Sequence, residues 1–263
     1  MLVEQVWTGN AYRNFNYLVA CPETGDALAI DPLDFQECLD AARRHGWTIT
    51  QILNTHEHGD HTGGNKGMVK ATGAKVIAHT NAQNRIPNMD RGVAAGEVIK
   101  VGETVDLECL DTPVHTMSHI CLLSKTDQPA LFSGDTLFNA GAGNCHNGGH
   151  PNELYKTFSN QLEKLSEDTL IYPGHDYLVN NLQFTIDREP DNAVAQQMLA
   201  DYESQDPADA LVTTLAQERE MNTFFRLDSP SVIARLQEDF PEIGDRPDAR
   251  TVFLKLRELR NNW

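Results

Sequence analysis

Cysteines are few in this sequence, and their spacing excludes a disulfide framework. There are five, an odd number, in 263 residues, with wide spacings and no C-x-x-C pair. This pattern is typical of reduced thiols in a reducing compartment, so we expect a cytoplasmic protein. A chain of this length can also bury a core large enough to fold without disulfide bonds.

Basic residues are also scarce. The sequence has 21 Lys and Arg residues against 38 Asp and Glu residues, which gives a formal net charge of −17. Nucleic acids and anionic membranes bind basic surfaces, so we expect neither of them as a partner.

Long apolar runs are missing too. No stretch approaches the roughly 20 apolar residues that a membrane-spanning helix needs. Residues 1–10 carry Glu4 and lack a basic start followed by an apolar run, so we expect no signal peptide. With 40% hydrophobic and 22% charged residues, the composition is ordinary for a soluble globular protein.

Short strands are predicted for the first two thirds of the chain and helices for the rest. Apolar runs between turn residues predict strands at residues 2–7, 16–20, 27–30, 51–54, 75–78, 120–123, 130–132 and 169–172, with a hairpin over 97–110. Apolar spacing predicts helices at residues 35–45, 66–71, 153–165, 178–188, 192–202, 211–220, 231–239 and 250–260. Residues 169–172 are predicted to be the last strand, and Asp191 and Ser231 are predicted helix caps.

Residues 55–65, with the sequence T-H-E-H-G-D-H-T-G-G-N, concentrate side chains that bind metals. Four candidate ligands fall within six residues: His56, His58, Asp60 and His61. They lie between the end of a predicted strand and a short predicted helix, on the kind of loop that often carries chemistry. Imidazole and carboxylate ligands suit zinc, iron or manganese better than calcium or magnesium.

Three more candidate ligands, His115, Asp135 and His175, each follow a predicted strand and a sharp turn. Such a recurrence is expected when a site is assembled along one edge of a sheet. A single zinc ion takes about four ligands, so seven groups suit two ions better than one. Two ions can share a carboxylate, and Asp135 fits this role because it lies on a loop of its own.

These motifs together resemble those of the metallo-β-lactamase superfamily: T-H-E-H-G-D-H, His115, S-G-D-T around Asp135 and P-G-H-D around His175. The resemblance implies an α+β fold, with a four-layer αββα sandwich over residues 1–177 and the metals at one edge. It implies two divalent ions, zinc by preference, with iron or manganese as alternatives. It also implies that Asp60 and Asp135 are the catalytic carboxylates.

Three further segments resemble the glyoxalase II branch of that superfamily: residues 134–143, residues 174–184, and the L-x-x-E-x-x-x-N-x-F-x-R pattern over residues 215–226. This resemblance implies that residues 178–263 form an all-helical substrate-binding domain. It further implies hydrolysis of S-D-lactoylglutathione, or a related hydroxyacyl thioester, to glutathione and a hydroxy acid. Water activated by the metals would be the nucleophile.

The same resemblance suggests where the thioester binds. The residues that it places near glutathione are Tyr177, Asn144, His146, Arg257 and Arg260. In the family the loop positions corresponding to Asn144 and His146 carry a basic residue and an aromatic, so this chain departs from the pattern there. For the two arginines a solvated helix face is an equal alternative.

Other readings of the sequence stay open. Asp31 and His119 are candidates for orienting the ligand histidines, with a purely structural role as the alternative. A lactonase or other metallo-hydrolase of the same fold would use the same ligands. So would an iron-dependent persulfide dioxygenase, although that branch usually lacks the long helical tail. A non-enzymatic metal-binding protein is a third possibility, which the complete ligand set disfavours.

Overall fold

Two six-stranded sheets form the centre of the protein, whose computed structural model describes residues 1–126 and 128–263. In the first sheet the strands lie side by side in chain order: Leu2–Trp7, Phe15–Ala20, Asp26–Ile30, Thr48–Leu53, Lys75–His79 and Arg91–Val93. In the second sheet the order across the sheet is Thr213–Thr214, Leu170–Pro173, Ala130–Gly134, Ile120–Ser124, Val105–Asp111 and Val98–Val101. Leu137–Phe138 and Gly141–Ala142 pair as a small separate hairpin.

The two sheets pack against each other through alternate side chains of their strands. Leu28 and Ile30 of the first sheet and Phe132 of the second belong to one buried cluster between the sheets. Ala29, which points to the other face, packs in a second cluster with helix Phe35–His45. Successive strand residues face opposite sides, so a strand buried on both faces reads as a continuous apolar run.

Helices cover both outer faces. The bounds of the helices are Phe35–His45, Gly59–Thr62, Asn65–Thr72, Pro151–Asn160, Leu178–Arg188, Ala193–Tyr202, Leu215–Met221, Pro230–Asp239 and Ala249–Arg260. Leu154, Phe158 and Phe253 pack on Leu131 and Ile171 at the outer face of the second sheet. The predicted αββα sandwich with a helical C-terminal region is therefore confirmed.

Several predicted boundaries are wrong. The helix predicted over residues 153–165 ends at Asn160 and is followed by the 3-10 turn Leu162–Lys164. The strand predicted to be the last is followed by Thr213–Thr214, which pairs with Leu170 and Ile171 and brings the tail back to the second sheet. A two-residue strand has no period to detect, and it forms because a neighbouring strand offers hydrogen bonds.

The predicted helix caps are displaced as well. Asn192, not Asp191, caps its helix, because its side chain accepts a hydrogen bond from the backbone N–H of Ala195 at 2.9 Å. Ser231 lies inside the helix that begins at Pro230, a residue whose fixed φ suits the first helical position.

Within residues 1–126 and 128–263, every helix is too short or too polar to cross a lipid bilayer.

Candidate metal centre

All seven predicted ligands meet at one edge of the sandwich, on segments that follow four different strands; Asp60 and His61 lie in the short helix Gly59–Thr62. They form three overlapping groups, each with its ligand atoms within 4.8 Å of one another. The first group is His56, His58 and His115, the second is Asp60, His61 and His175, and the third, His56, His61 and Asp135, overlaps both. The strands end at Leu53, Asp111, Gly134 and Pro173, so the sheet edges place the four segments together.

In the first group, three imidazole nitrogens converge. His58 Nδ1 lies 3.0 Å from His56 Nε2 and 2.9 Å from His115 Nε2. His115 Nδ1 donates to the backbone carbonyl of Asn144 at 2.8 Å, so its Nε2 carries a lone pair. His56 Nδ1 lies 3.0 Å from Thr55 Oγ1, which fixes that ring in the same way. One proton on His58 cannot satisfy both facing nitrogens, whereas a single cation can.

In the second group, His61 Nε2 and His175 Nε2 face each other at 3.2 Å. The other nitrogen of each ring is already bonded, since His61 Nδ1 donates to Asp31 Oδ2 at 2.9 Å and His175 Nδ1 donates to the Tyr12 carbonyl at 2.7 Å. The remaining ring nitrogens, Nε2 of both histidines, therefore point at one space. Asp60 Oδ2 lies 3.6 Å from His61 Nε2 and 3.5 Å from His175 Nε2, and completes a cation-binding set.

Asp135 lies between the two groups. Its Oδ1 is 3.5 Å from His61 Nε2, and its Oδ2 is 3.5 Å from His115 Nε2 and 3.3 Å from His175 Nε2. Oδ1 is buried and has no hydrogen-bond partner among the residues that the structure describes. A buried carboxylate oxygen without a partner is costly, and a metal ion at this position would satisfy it.

The protonation states of Asp135, His56 and His115 suit cation binding. Burial would raise the pKa of Asp135, but the imidazoles of His175, His61 and His115 hold it well below the ordinary value. Burial lowers the pKa of His56 and of His115, which keeps both rings neutral. At His61 burial would lower the pKa, but the neighbouring carboxylates raise it to about 9, so a cation would replace a proton on that ring. A carboxylate and neutral imidazoles are the forms in which these side chains bind metals.

Asp31 and His119 orient the ligands, as the sequence suggested they could. Asp31 accepts hydrogen bonds from the Thr55 backbone N–H at 2.8 Å and from His61 Nδ1 at 2.9 Å. His119 Nε2 accepts from the backbone N–H of Asp135 at 3.0 Å, and burial lowers the pKa of His119 to about 3, so the ring stays neutral. Such contacts fix the direction in which a ligand atom points.

Close packing requires glycine at one position beside Asp135. A Cβ atom on Gly174 would lie 2.4 Å from Asp135 Oδ1 and 3.1 Å from the ring of His61. The P-G-H-D motif therefore needs its glycine for space at the centre.

Two residues that the sequence reading missed also hold the ligands in place. Asn14 is fully buried, and its Nδ2 donates to Asp60 Oδ2 and to the Asp60 carbonyl, both at 3.2 Å. Glu57, inside the histidine motif, accepts from Thr116 Oγ1 at 2.9 Å and from Ser118 Oγ at 2.6 Å, and so fixes the loop that carries His115. Glu57 could have been found in the sequence, because it is a carboxylate that stands between two ligand histidines.

A pocket of about 270 Å³ adjoins the metal centre. All five predicted substrate contacts line it: Asn144, His146, Tyr177, Arg257 and Arg260. Among the lining residues that the structure describes, none is acidic, although the protein carries a formal net charge of −17. The Tyr177 ring stacks on His175 with centroids 5.0 Å apart and thus connects the pocket to the ligands.

The two arginines that line the pocket, both on the last helix, differ in their contacts. Arg257 is only 3% exposed, and its Nη1 donates to the carbonyls of Ala142 at 2.7 Å and Gly143 at 2.9 Å. A solvated helix face is therefore wrong for Arg257. Burial lowers the pKa of Arg257 to about 10, which leaves it charged at neutral pH. Arg260 Nη2 donates to Asn181 Oδ1 at 3.0 Å.

The L-x-x-E-x-x-x-N-x-F-x-R segment fastens the helical region to the wall of this pocket. Glu218 Oε2 accepts from the backbone N–H of Ala140 at 2.9 Å, and Asn222 Nδ2 donates to the Gly141 carbonyl at 3.1 Å. Glu218 is fully buried, and burial raises its pKa to about 7 against the effect of its hydrogen bonds. The motif thus positions residues 140–143, to which Arg257 also binds.

Comparison with known proteins agrees with this geometry. The family model described as "Metallo-beta-lactamase superfamily" matches residues 17–179, and that described as "Hydroxyacylglutathione hydrolase C-terminus" matches residues 176–263. The fold and the clustered histidines and aspartates together support the binding of divalent metal ions. The crystal structure of ETHE1 from Myxococcus xanthus shares the fold, with a TM-score of 0.71 and 24% identity over 99% of this chain and 92% of that chain.

Two curated relatives are much more similar in sequence. A hydroxyacylglutathione hydrolase of Polaromonas sp. strain JS666 is 69% identical over 263 residues, and one of Nitrosococcus oceani is 63% identical over 263 residues. Each alignment covers 100% of both chains. The chain therefore belongs to the metallo-β-lactamase superfamily and, within it, to the hydroxyacylglutathione hydrolase family.

Proposed function

We propose that this protein hydrolyses S-D-lactoylglutathione, or a related hydroxyacylglutathione thioester, to glutathione and a hydroxy acid. The observation that carries the proposal is that Tyr177, stacked on His175, connects the seven-ligand cluster to a pocket that contains two arginines and no described acidic side chain. The names of the relatives at 69% and 63% identity support the same substrate class.

We assign the metal site to the seven clustered side chains, with zinc as the preferred ion and Asp135 as the shared ligand. Two divalent ions held by these side chains would supply hydroxide at neutral pH and would polarise the substrate carbonyl. Two features support this assignment: ring nitrogens converge in each group, and Oδ1 of Asp135 has no hydrogen-bond partner among the described residues.

Asp60 and Asp135 are the catalytic carboxylates in this proposal. Asn14 holds Asp60 Oδ2 in place as a ligand, and the second oxygen of that carboxylate would accept a hydrogen bond from the attacking water and direct it at the carbonyl carbon. The leaving thiolate has a free pKa of about 8.5 and departs with little need of a general acid. This explains why no separate acid or nucleophile is required at the site.

The pocket beside Tyr177 would hold the glutathione part of the substrate. Arg257 and Arg260 offset the repulsion between an acidic protein and an anionic conjugate, and Arg260 is the better placed of the two because Arg257 already bonds two carbonyls. Residues 1–177 would then act as the catalytic domain and residues 178–263 as the substrate-binding domain. The pocket takes residues from both.

Metal-analysed protein should be tested with a panel of glutathione thioesters, an acyl-homoserine lactone and glutathione persulfide. We expect two divalent ions per chain and turnover of hydroxyacylglutathiones above all other substrates. Turnover of the lactone without any thioester, or oxygen uptake with the persulfide, would overturn the proposal.

A further inference from the structure

Residues 8–14, which connect the first two strands, lie directly against the second ligand group. The Tyr12 carbonyl accepts a hydrogen bond from His175 Nδ1 at 2.7 Å. Two residues later, Asn14 Nδ2 donates to Asp60 Oδ2 at 3.2 Å. One short segment therefore fixes two of the three side chains in the group of Asp60, His61 and His175.

Arg13 lies between these two residues and links the segment to Asp176. Arg13 has φ of +60°, a left-handed conformation that residues other than glycine rarely adopt. Three contacts tie it to a single residue: its carbonyl accepts from the Asp176 N–H at 2.9 Å, its Nε donates to the Asp176 carbonyl at 2.9 Å, and its Nη2 forms an ion pair with the Asp176 carboxylate. Asp176 directly follows His175.

We propose that Arg13 is a positioning residue for the metal site: through Asp176 it holds the Tyr12 carbonyl on His175 and the Asn14 amide on Asp60. The inference rests on the proposed metal-dependent hydrolysis. The fork of the guanidinium is essential, because a lysine has one nitrogen and cannot bond the carbonyl and the carboxylate in the same way.

The first ligand group has no link to Arg13. His115 is oriented by the Asn144 carbonyl and His56 by Thr55. Loss of Arg13 should therefore weaken one of the two cation sites and spare the other. The Arg13 side chain is 44% exposed, and an ion pair this exposed contributes little to folding stability. A selective effect on metal retention would thus separate positioning from a general structural role.

Arg13→Ala and Arg13→Lys should be compared with the wild type and with Arg235→Ala. Arg235 is a matched control because it pairs with a carboxylate, Glu238, on an exposed helix face. Metal retained per chain is measured during titration with a chelator, together with kcat, KM and thermal unfolding of the metal-free protein.

For Arg13→Ala we expect one ion to be released at roughly 10–100-fold lower chelator concentration, as is typical when a partner of a metal ligand is lost, and the other ion to be retained as in the wild type. We expect kcat to fall within the same range with KM nearly unchanged, and Arg13→Lys to recover only part of the loss. Arg235→Ala should match the wild type throughout.

Retention of both ions with unchanged kcat in Arg13→Ala would contradict the inference, as would equal weakening of both sites. If Arg13→Ala does not fold, metal retention and kcat of Arg13→Lys are compared with the wild type by the same criteria. Wild-type protein that holds two ions but hydrolyses no glutathione thioester would contradict the proposed function instead, and the retention data would still decide the role of Arg13.

Discussion

The metal centre and the pocket beside it are built in different ways. At the metal centre, each ligand follows a strand, and its ring or carboxylate is oriented by one or two buried atoms, such as Asp31 for His61. In the pocket, the charged groups come from the last helix, and Arg257 is held by carbonyls more than 110 residues earlier in the chain. The position of the metal centre is thus fixed by the ends of the strands, whereas the pocket depends on how the helical region packs on the sandwich.

This difference should allow the two regions to be impaired separately. Five of the seven ligands are buried, and all are held apart from the pocket lining, so their substitution should abolish chemistry without altering the pocket. Pocket residues should affect the binding of substrate more than its turnover.

Asp135→Asn should have the largest effect. Removing the charge shared by the two ligand groups should reduce kcat/KM by about 1,000-fold or more, since several kcal/mol of electrostatic stabilisation are lost. Metal content should fall in parallel, as measured on the purified protein. Affinity for glutathione, measured by calorimetry, should stay close to the wild-type value.

Asp106→Asn, on the exposed hairpin, is the control for this change. A full metal complement in Asp135→Asn together with wild-type turnover would show that the bridging assignment is wrong.

Arg260→Ala should have an intermediate effect, confined to binding. Loss of one charged hydrogen-bond donor facing an anionic substrate should raise KM roughly 10-fold or more, with kcat within about twofold of the wild type. Lys255→Ala on the same helix is the control, because Lys255 pairs with Glu242 and Glu258 outside the pocket. A fall in kcat with unchanged KM would place Arg260 outside the substrate site.

Glu218→Gln should have the smallest effect on turnover, because Glu218 contacts neither substrate nor metal ligands. It only links the helical region to the backbone of Ala140. The folded protein raises the pKa of Glu218 from 4.5 to about 7. The folded state therefore favours the protonated form. The stability that this provides is complete below pH 4.5 and is lost as the pH rises through about 7.

The shift corresponds to a loss of roughly 3 kcal/mol in the free energy of unfolding across that range. Urea unfolding of the wild type and of Glu218→Gln at several pH values measures this difference, and the variant should lack this part of the pH dependence. Glu103→Gln, in an exposed turn, is the control. Parallel pH profiles for wild type and Glu218→Gln would show that the pKa of Glu218 is the same in the folded and the unfolded protein.

Much of the architecture could be predicted from local sequence. Helix 35–45 begins and ends where predicted, because Asp34 caps its first turn and Gly46 adopts the left-handed conformation after its last residue. Helix 178–188 also has its predicted bounds. The strands Arg91–Val93 and Thr213–Thr214 were missed because they depend on neighbouring strands, not on their own residues.

The sequence alone determined the family and the kinds of ligand, because T-H-E-H-G-D-H and the later strand-end motifs are local and chemically specific. The tertiary structure decided which nitrogen of each ring faces the site, through distant partners such as the Tyr12 carbonyl for His175. It also decided that Arg257 is buried and that Arg13 meets Asp176, 163 residues away. These features were out of reach of sequence patterns because they depend on contacts between segments that only the packed sheets and helices bring together.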